Sequence, residues 1–127
     1  MRHSIIVIAT LAFSSVLAAC HSQPPAMPTH AFTREGVSLT INPPAAPDCK
    51  PDTAYHATLK WSVDGMDAPK TEVRIGKLDG PVFARSNDRT AHADTGDWVK
   101  PGMWFLLFDR KGGDLLGAVQ AGPKPCP

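Results

Sequence analysis

At 127 residues the chain has room for one domain with short extensions and a modest packed core. Its 13 basic and 12 acidic side chains leave a formal charge of +1. They form no basic stripe that would favour nucleic acid and no polybasic run that would draw the chain to anionic lipid heads.

The chain opens with Met1-Arg2-His3, which carries one fixed positive charge, followed by an apolar run from Ile5 to Phe13 and small residues up to Cys20. This order of basic tip, apolar middle and small residues reads as a secretory signal. The apolar part falls short of the roughly 20 residues that a membrane-spanning helix needs. Leu17-Ala18-Ala19-Cys20 resembles the lipobox of bacterial lipoproteins at each of its four positions. The resemblance implies cleavage before Cys20, lipid on its thiol and acylation of its new amine. Residues 1–19 would then be a signal peptide, and the mature chain would be held on a membrane by its N-terminal lipid, since each buried methylene adds about 0.8 kcal/mol. In Gram-negative members an Asp after the cysteine marks inner-membrane retention. Here that position is His21, which points to the outer membrane, with the domain facing the periplasm. Loss of Arg2 with the leader leaves basic and acidic side chains equal in number.

Residues 20–34, rich in proline and poor in apolar side chains, read as a flexible tether. At about 3.3 Å per residue it would reach roughly 45 Å. With Cys20 spent on lipid, Cys49 and Cys126 remain as a pair in an oxidising compartment and read as one disulfide. The alternative is two free or metal-binding thiols, but no CxxC spacing accompanies them. The bridge would stabilise by roughly 4 kcal/mol in the chain-entropy account.

From residue 35 onward the hydrophobic period is two. Val37, Leu39 and Ile41 alternate with polar residues, and Pro43-Pro44 ends that strand. Tyr55, Ala57, Leu59, Trp61 and Val63 alternate with His56, Thr58, Lys60 and Ser62, predicting one buried and one wet face. Val73 and Ile75 mark a third strand, Asp79-Gly80 a tight hairpin turn, and Val82 to Arg85 a fourth strand. Residues 89–95 are weakly patterned and suggest a short fifth. Pro101-Gly102 predicts a type II turn, Met103 to Phe108 a central strand apolar on both sides, and Leu115 to Ala121 the last strand. No sustained 3.6-residue period occurs after residue 20. Seven short strands at this spacing predict an all-β sandwich over residues 35–127.

Two places in that region, Leu59-Lys60-Trp61 and Val99-Lys100-Pro101-Gly102-Met103-Trp104-Phe105, resemble the fibronectin type III and related immunoglobulin-like domains. The first matches the family's core Trp, the second its apolar-x-Pro-Gly-x-x-Tyr segment before the sixth strand. Phe105 stands where the family has Tyr, so the tyrosine-corner hydrogen bond is not expected. The family's topology would bring the start of the second strand and the end of the seventh to one end of the sandwich, close to Cys49 and Cys126.

Candidate chemistry is sparse. His21 and His30 lie in the tether, and His56 on a polar strand face. His92, Asp94 and Asp97 offer metal-ligand types without the spacing of a known motif. Asp64 and Asp67 flank a turn that lacks a calcium-loop pattern. Ser38, Ser62 and Ser86 have no GxSxG context. No nucleotide or cofactor fingerprint is present. These readings predict a non-catalytic chain without a metal or cofactor. Trp61 is expected in the core. Trp98 and Trp104 are the candidates for binding an envelope protein or glycan, or else plugs for the open end of the core. A lipid-anchored binding or structural module is the expected function. The alternative is an immunity or inhibitor lipoprotein that blocks a toxin or hydrolase with one of the segments 64–70 or 86–97.

Overall fold

The computed structural model describes residues 26–48, 50 and 52–122. Cys20, Cys49 and Cys126 lie outside the described residues. The fold is all-β, with two antiparallel sheets. Its strands are β1 (Phe32–Thr33), β2 (Val37–Asn42), β3 (Thr58–Val63), β4 (Thr71–Ile75), β5 (Val82–Ser86), β6 (Thr90–Asp94), β7 (Trp104–Asp109) and β8 (Leu115–Gln120). One sheet has the order β2-β3-β6 and the other β1-β8-β7-β4-β5. No helix among the described residues is long and apolar enough to cross a membrane.

The strand count is eight rather than seven. The additional strand, β1, falls in the segment read as tether: Phe32 pairs with Ala118 and Thr33 with Gly117. Two exposed residues carry no periodic signal, so only the waiting edge of β8 makes them a strand. Met27 also packs against apolar residues of that sheet. The segment therefore meets the domain at Met27 and again from Phe32 to Arg34.

In β3 the expected alternation holds. Leu59, Trp61 and Val63 are buried, as are Tyr55 and Ala57 before them, whereas Lys60 is exposed. The ladder itself begins only at Thr58. Tyr55 instead exchanges two backbone hydrogen bonds with Val99, at 2.9 and 3.1 Å. The Ala57 N–H donates to Thr95 Oγ1 at 2.8 Å. The chain following β6 thus folds back to continue the pairing of β3, and Val99 is fully buried as a result.

Strand β7 is covered on both faces. Phe105 and Leu107 point into the main core with Leu39, Ile41, Leu59, Trp61 and Val73. Leu106 and Phe108 point the other way and join Ala118, Leu115, Leu78, Trp104 and Met27 in a second, outer cluster. Burying each large apolar side chain stabilises the fold by about 1.5–3 kcal/mol. The Pro101-Gly102 turn forms as expected: the Met103 N–H donates to the Lys100 carbonyl at 3.1 Å, and Gly102 has φ of +87°, a value a side chain would strain. Asp79-Gly80 does not form a two-residue hairpin. The Gly80 N–H closes a turn onto Lys77 at 2.9 Å, inside a longer connection that ends where the Ile75 N–H meets the Pro81 carbonyl.

Candidate interaction surface

The two long sides of the sandwich differ. On one, β1 pairs with β8 and lies against β2, spanning the gap between the sheets. On the other, β5 and β6 are consecutive in sequence yet belong to different sheets, β5 pairing with β4 and β6 with β3. Neither has a further strand partner, so this side has two open edges. Half-buried Phe83, Ala84, Ala91 and Ala93 extend the core toward it.

Trp98 sits at this side. Its backbone is placed by the Tyr55–Val99 pairing next door. Its ring meets Phe83 edge-on at 5.7 Å and 78°, and Phe105 at 6.3 Å with a 32° tilt. Such aromatic pairs contribute about 0.5–1.5 kcal/mol beyond area burial. Gly96 provides the seat, since a Cβ there would stand 2.7 Å from Trp98 Cδ1. The side chain remains 37 % exposed. Trp98 therefore caps the core with one face and presents the other to solvent.

Trp104 lies elsewhere. It follows the outward parity of Leu106 and Phe108, is half-buried in the outer cluster, and shares no aromatic contact with Trp98. The two tryptophans grouped by sequence belong to different surfaces. Beside the outer cluster, the Arg74 guanidinium lies 4.7 Å above the Phe108 ring and donates to Glu72 and to the Leu78 carbonyl, each at 2.8 Å. The Glu72 carboxylate, only 7 % exposed, also accepts from Arg85 at 3.4 Å. A buried carboxylate of this kind is tolerable because both its oxygens are paired.

The proposed metal-ligand types separate. His56 approaches Asp97 at 3.7 Å, Asp94 accepts from Thr58 Oγ1 at 2.6 Å, and His92 is exposed on β6 opposite Lys60. Among the described residues no three His, Cys, Asp or Glu side chains gather in a way that would hold a metal ion. Asp67 offers its backbone carbonyl to Lys111 Nζ at 3.1 Å. Of the serines, Ser38 and Ser62 bond to one another at 2.7 Å across β2 and β3. Within the segment 86–97 proposed as a plug, Thr90–Asp94 form β6, an edge strand bonded to β3, so that part does not project as a loop.

Among the described residues, Tyr55 and Asp48 are shifted from their ordinary values. Burial pushes the Tyr55 hydroxyl upward. The Asp48 carboxyl is lowered by the Lys50 backbone N–H first and by the Thr53 hydroxyl second.

One feature escaped sequence reading. Arg85, Ser86 and Asn87 at the end of β5, together with Arg110 after β7, line a cleft of about 150 Å³. The residues are more than 20 positions apart and meet only because β4 pairs with both strands. Comparison with protein families, with curated proteins and with solved structures finds no match to this chain.

Proposed function

We propose that this chain is a lipid-anchored, non-catalytic binding or structural module of the bacterial cell envelope, held at the outer membrane through Cys20 and facing the periplasm. The anchor rests on Leu17-Ala18-Ala19-Cys20 after a basic and then apolar leader. The domain is best described as fibronectin type III-like. A three-stranded β2-β3-β6 sheet facing β8-β7-β4-β5 supports that description, as do the buried Trp61 and the turn at Pro101-Gly102.

A Cys49–Cys126 disulfide belongs to the same reading. Ala45 and Gly122 form a parallel bridge, with the Gly122 N–H bonded to the Pro44 carbonyl at 2.7 Å. Each cysteine lies four residues beyond its bridged partner, in the same chain direction. The Ala45–Gly122 bridge joins the two stretches of chain that lead to Cys49 and Cys126, which supports the pairing.

The observation that carries the binding role is Trp98, a tryptophan seated rigidly by Phe83, Phe105 and Gly96 at the open side, with over a third of its surface left to solvent. Rigid aromatic side chains lose little entropy on contact and anchor protein or glycan partners. The test is site-specific photocrosslinking in intact cells, with the crosslinker at position 98 or, as control, at position 60 on the wet face of β3. A discrete adduct from 98 that is absent from 60 and is lost with Cys20→Ser supports the anchored module. Identical patterns from the two positions would overturn it.

A further inference from the structure

The cleft between β5 and the end of β7 has a one-sided hydrogen-bond chemistry. Its acceptors are already in use. The Ser86 carbonyl accepts from Arg110 Nη2 at 3.1 Å and from Thr71 Oγ1 at 3.5 Å. Asn87 Oδ1 accepts from the same Arg110 nitrogen. Ser86 Oγ accepts from the Asp88 N–H at 3.0 Å. Donors remain. Arg110 Nε is buried and has no acceptor among the described residues. Arg110 forms no ion pair with any of them, and Arg85 meets Glu72 through Nε alone, its terminal nitrogens having no partner among the described residues. The Ser86 hydroxyl hydrogen and the Asn87 amide N–H pair complete the set. Arg110 bonds through Nη2 only, so its Nη1 has no partner among the described residues and is left for a ligand.

The neighbouring carboxylates do not cancel this field. Glu72 is shared between Arg74 and Arg85, Asp109 accepts from the Lys111 N–H at 2.9 Å, and the Asp88 side chain is exposed. The size narrows the ligand. About 150 Å³ is some five times a water's share of liquid volume, roughly 30 Å³, and below the 300 Å³ or so of pockets that enclose whole small molecules. The cleft is open to solvent and holds one charged group of a ligand that can extend beyond it.

The geometry points to an oxyanion subsite, in which Arg85 and Arg110 clasp a carboxylate or phosphate group of an acidic ligand, with Ser86 and Asn87 as further donors. Planar guanidinium forks match both groups and bind them as paired hydrogen bonds. The site lies at the end of β5, where Arg85 reaches Glu72 beside the outer cluster, apart from the Phe83 and Phe105 rings that seat Trp98. It stands independently of the lipid anchor.

The experiment is a nitrogen-15 NMR titration of the full chain in detergent micelles, with inorganic phosphate in one series and succinate in another, sodium chloride holding ionic strength constant. Saturable shifts at Arg110 Nε–H and at the Ser86 and Asn87 amides are expected in at least one series, and the series that responds identifies phosphate or carboxylate as the source. Arg85→Gln, at a side chain 61 % exposed and with an amide that can still donate to Glu72, should weaken binding at least tenfold, with other spectral changes confined to the surroundings of Glu72. Arg110→Gln should do the same, and Lys60→Gln should not. Shifts that grow linearly without saturation, or a titration unchanged by Arg85→Gln, would overturn the site.

Discussion

Trp61 and Thr71 join the two sheets through the middle of the core: the indole Nε1 on β3 donates to the Thr71 hydroxyl on β4 at 3.0 Å, with both residues buried. Trp61 thus fills the largest core site and also ties the layers to one another with a polar contact that has no water to replace it. Trp61→Ala should destabilise by about 3–5 kcal/mol, the range for emptying a large aromatic site. Thr71→Val, close in size, leaves the indole N–H buried and unpaired and should cost about 1–3 kcal/mol. Lys60→Ala should change little. Chemical denaturation of the three variants checks the order, and equal losses at positions 60 and 61 would contradict the register.

At Gly96 stability and surface shape come apart. A Cβ would collide with the Trp98 ring rather than with backbone, so the ring moves and the fold stays. Gly96→Ala should lower stability by only about 1 kcal/mol, in line with losing one aromatic packing arrangement. Near-ultraviolet circular dichroism should lose intensity and tryptophan emission should shift to the red, because Trp98 leaves its seat on Phe83 and Phe105. A variant with wild-type emission and an intact melt would mean that Gly96 does not position the ring.

Tyr55 contributes to stability at alkaline pH. Its hydroxyl is buried and unpaired among the described residues, and burial raises its ionisation above the ordinary 10.0. The unfolded chain therefore releases this proton more readily than the folded one. The resulting stability is fully present below pH 10.0 and is lost as the pH rises through the folded value. Tyr55→Phe removes both the orphan hydroxyl and the proton. At neutral pH it should be neutral or slightly stabilising, by up to about 1 kcal/mol, and the fall in melting temperature above pH 10 should become shallower. Steeper alkaline unfolding in the variant would contradict the assignment.

The cysteines divide into two experiments. Cys20→Ser should abolish incorporation of radioactive palmitate and release the protein from membranes. With Cys49 and Cys126 intact, the non-reduced protein should be two daltons lighter than the reduced form, the mass of two hydrogens, and a peptide map should link the two residues. Reduction should lower stability by roughly 4 kcal/mol. Free thiols in protein taken from the envelope would remove the bridge.

Much of the architecture was legible from local pattern. The two-residue period of β2 and β3 predicted which side chains are buried, because in a strand alternate positions necessarily face opposite sides. The apolar run of β7 predicted cover on both faces, and Pro101-Gly102 announced its own turn geometry. These features depend on neighbours a few positions apart, and the residue types carry the information themselves. The Asp79-Gly80 turn misled because the same pair also suits a longer connection.

What depends on distant pairing could not be read in this way. Phe32–Thr33 becomes a strand only because β8, more than 80 residues later, offers an unpaired edge. Trp98 and Trp104 look alike in sequence, six positions apart, yet the turn between them sends one to the open side and the other to the outer face of the sheet. Arg85 and Arg110 share a cleft because β4 lies between β5 and β7. Periodicity along a strand specifies which face a side chain takes, but not which strand will lie beside it. Local sequence therefore determined the strands and their buried faces. The order of strands in the sheets, settled by packing both faces of β7 at once, decided which residues meet at the surface.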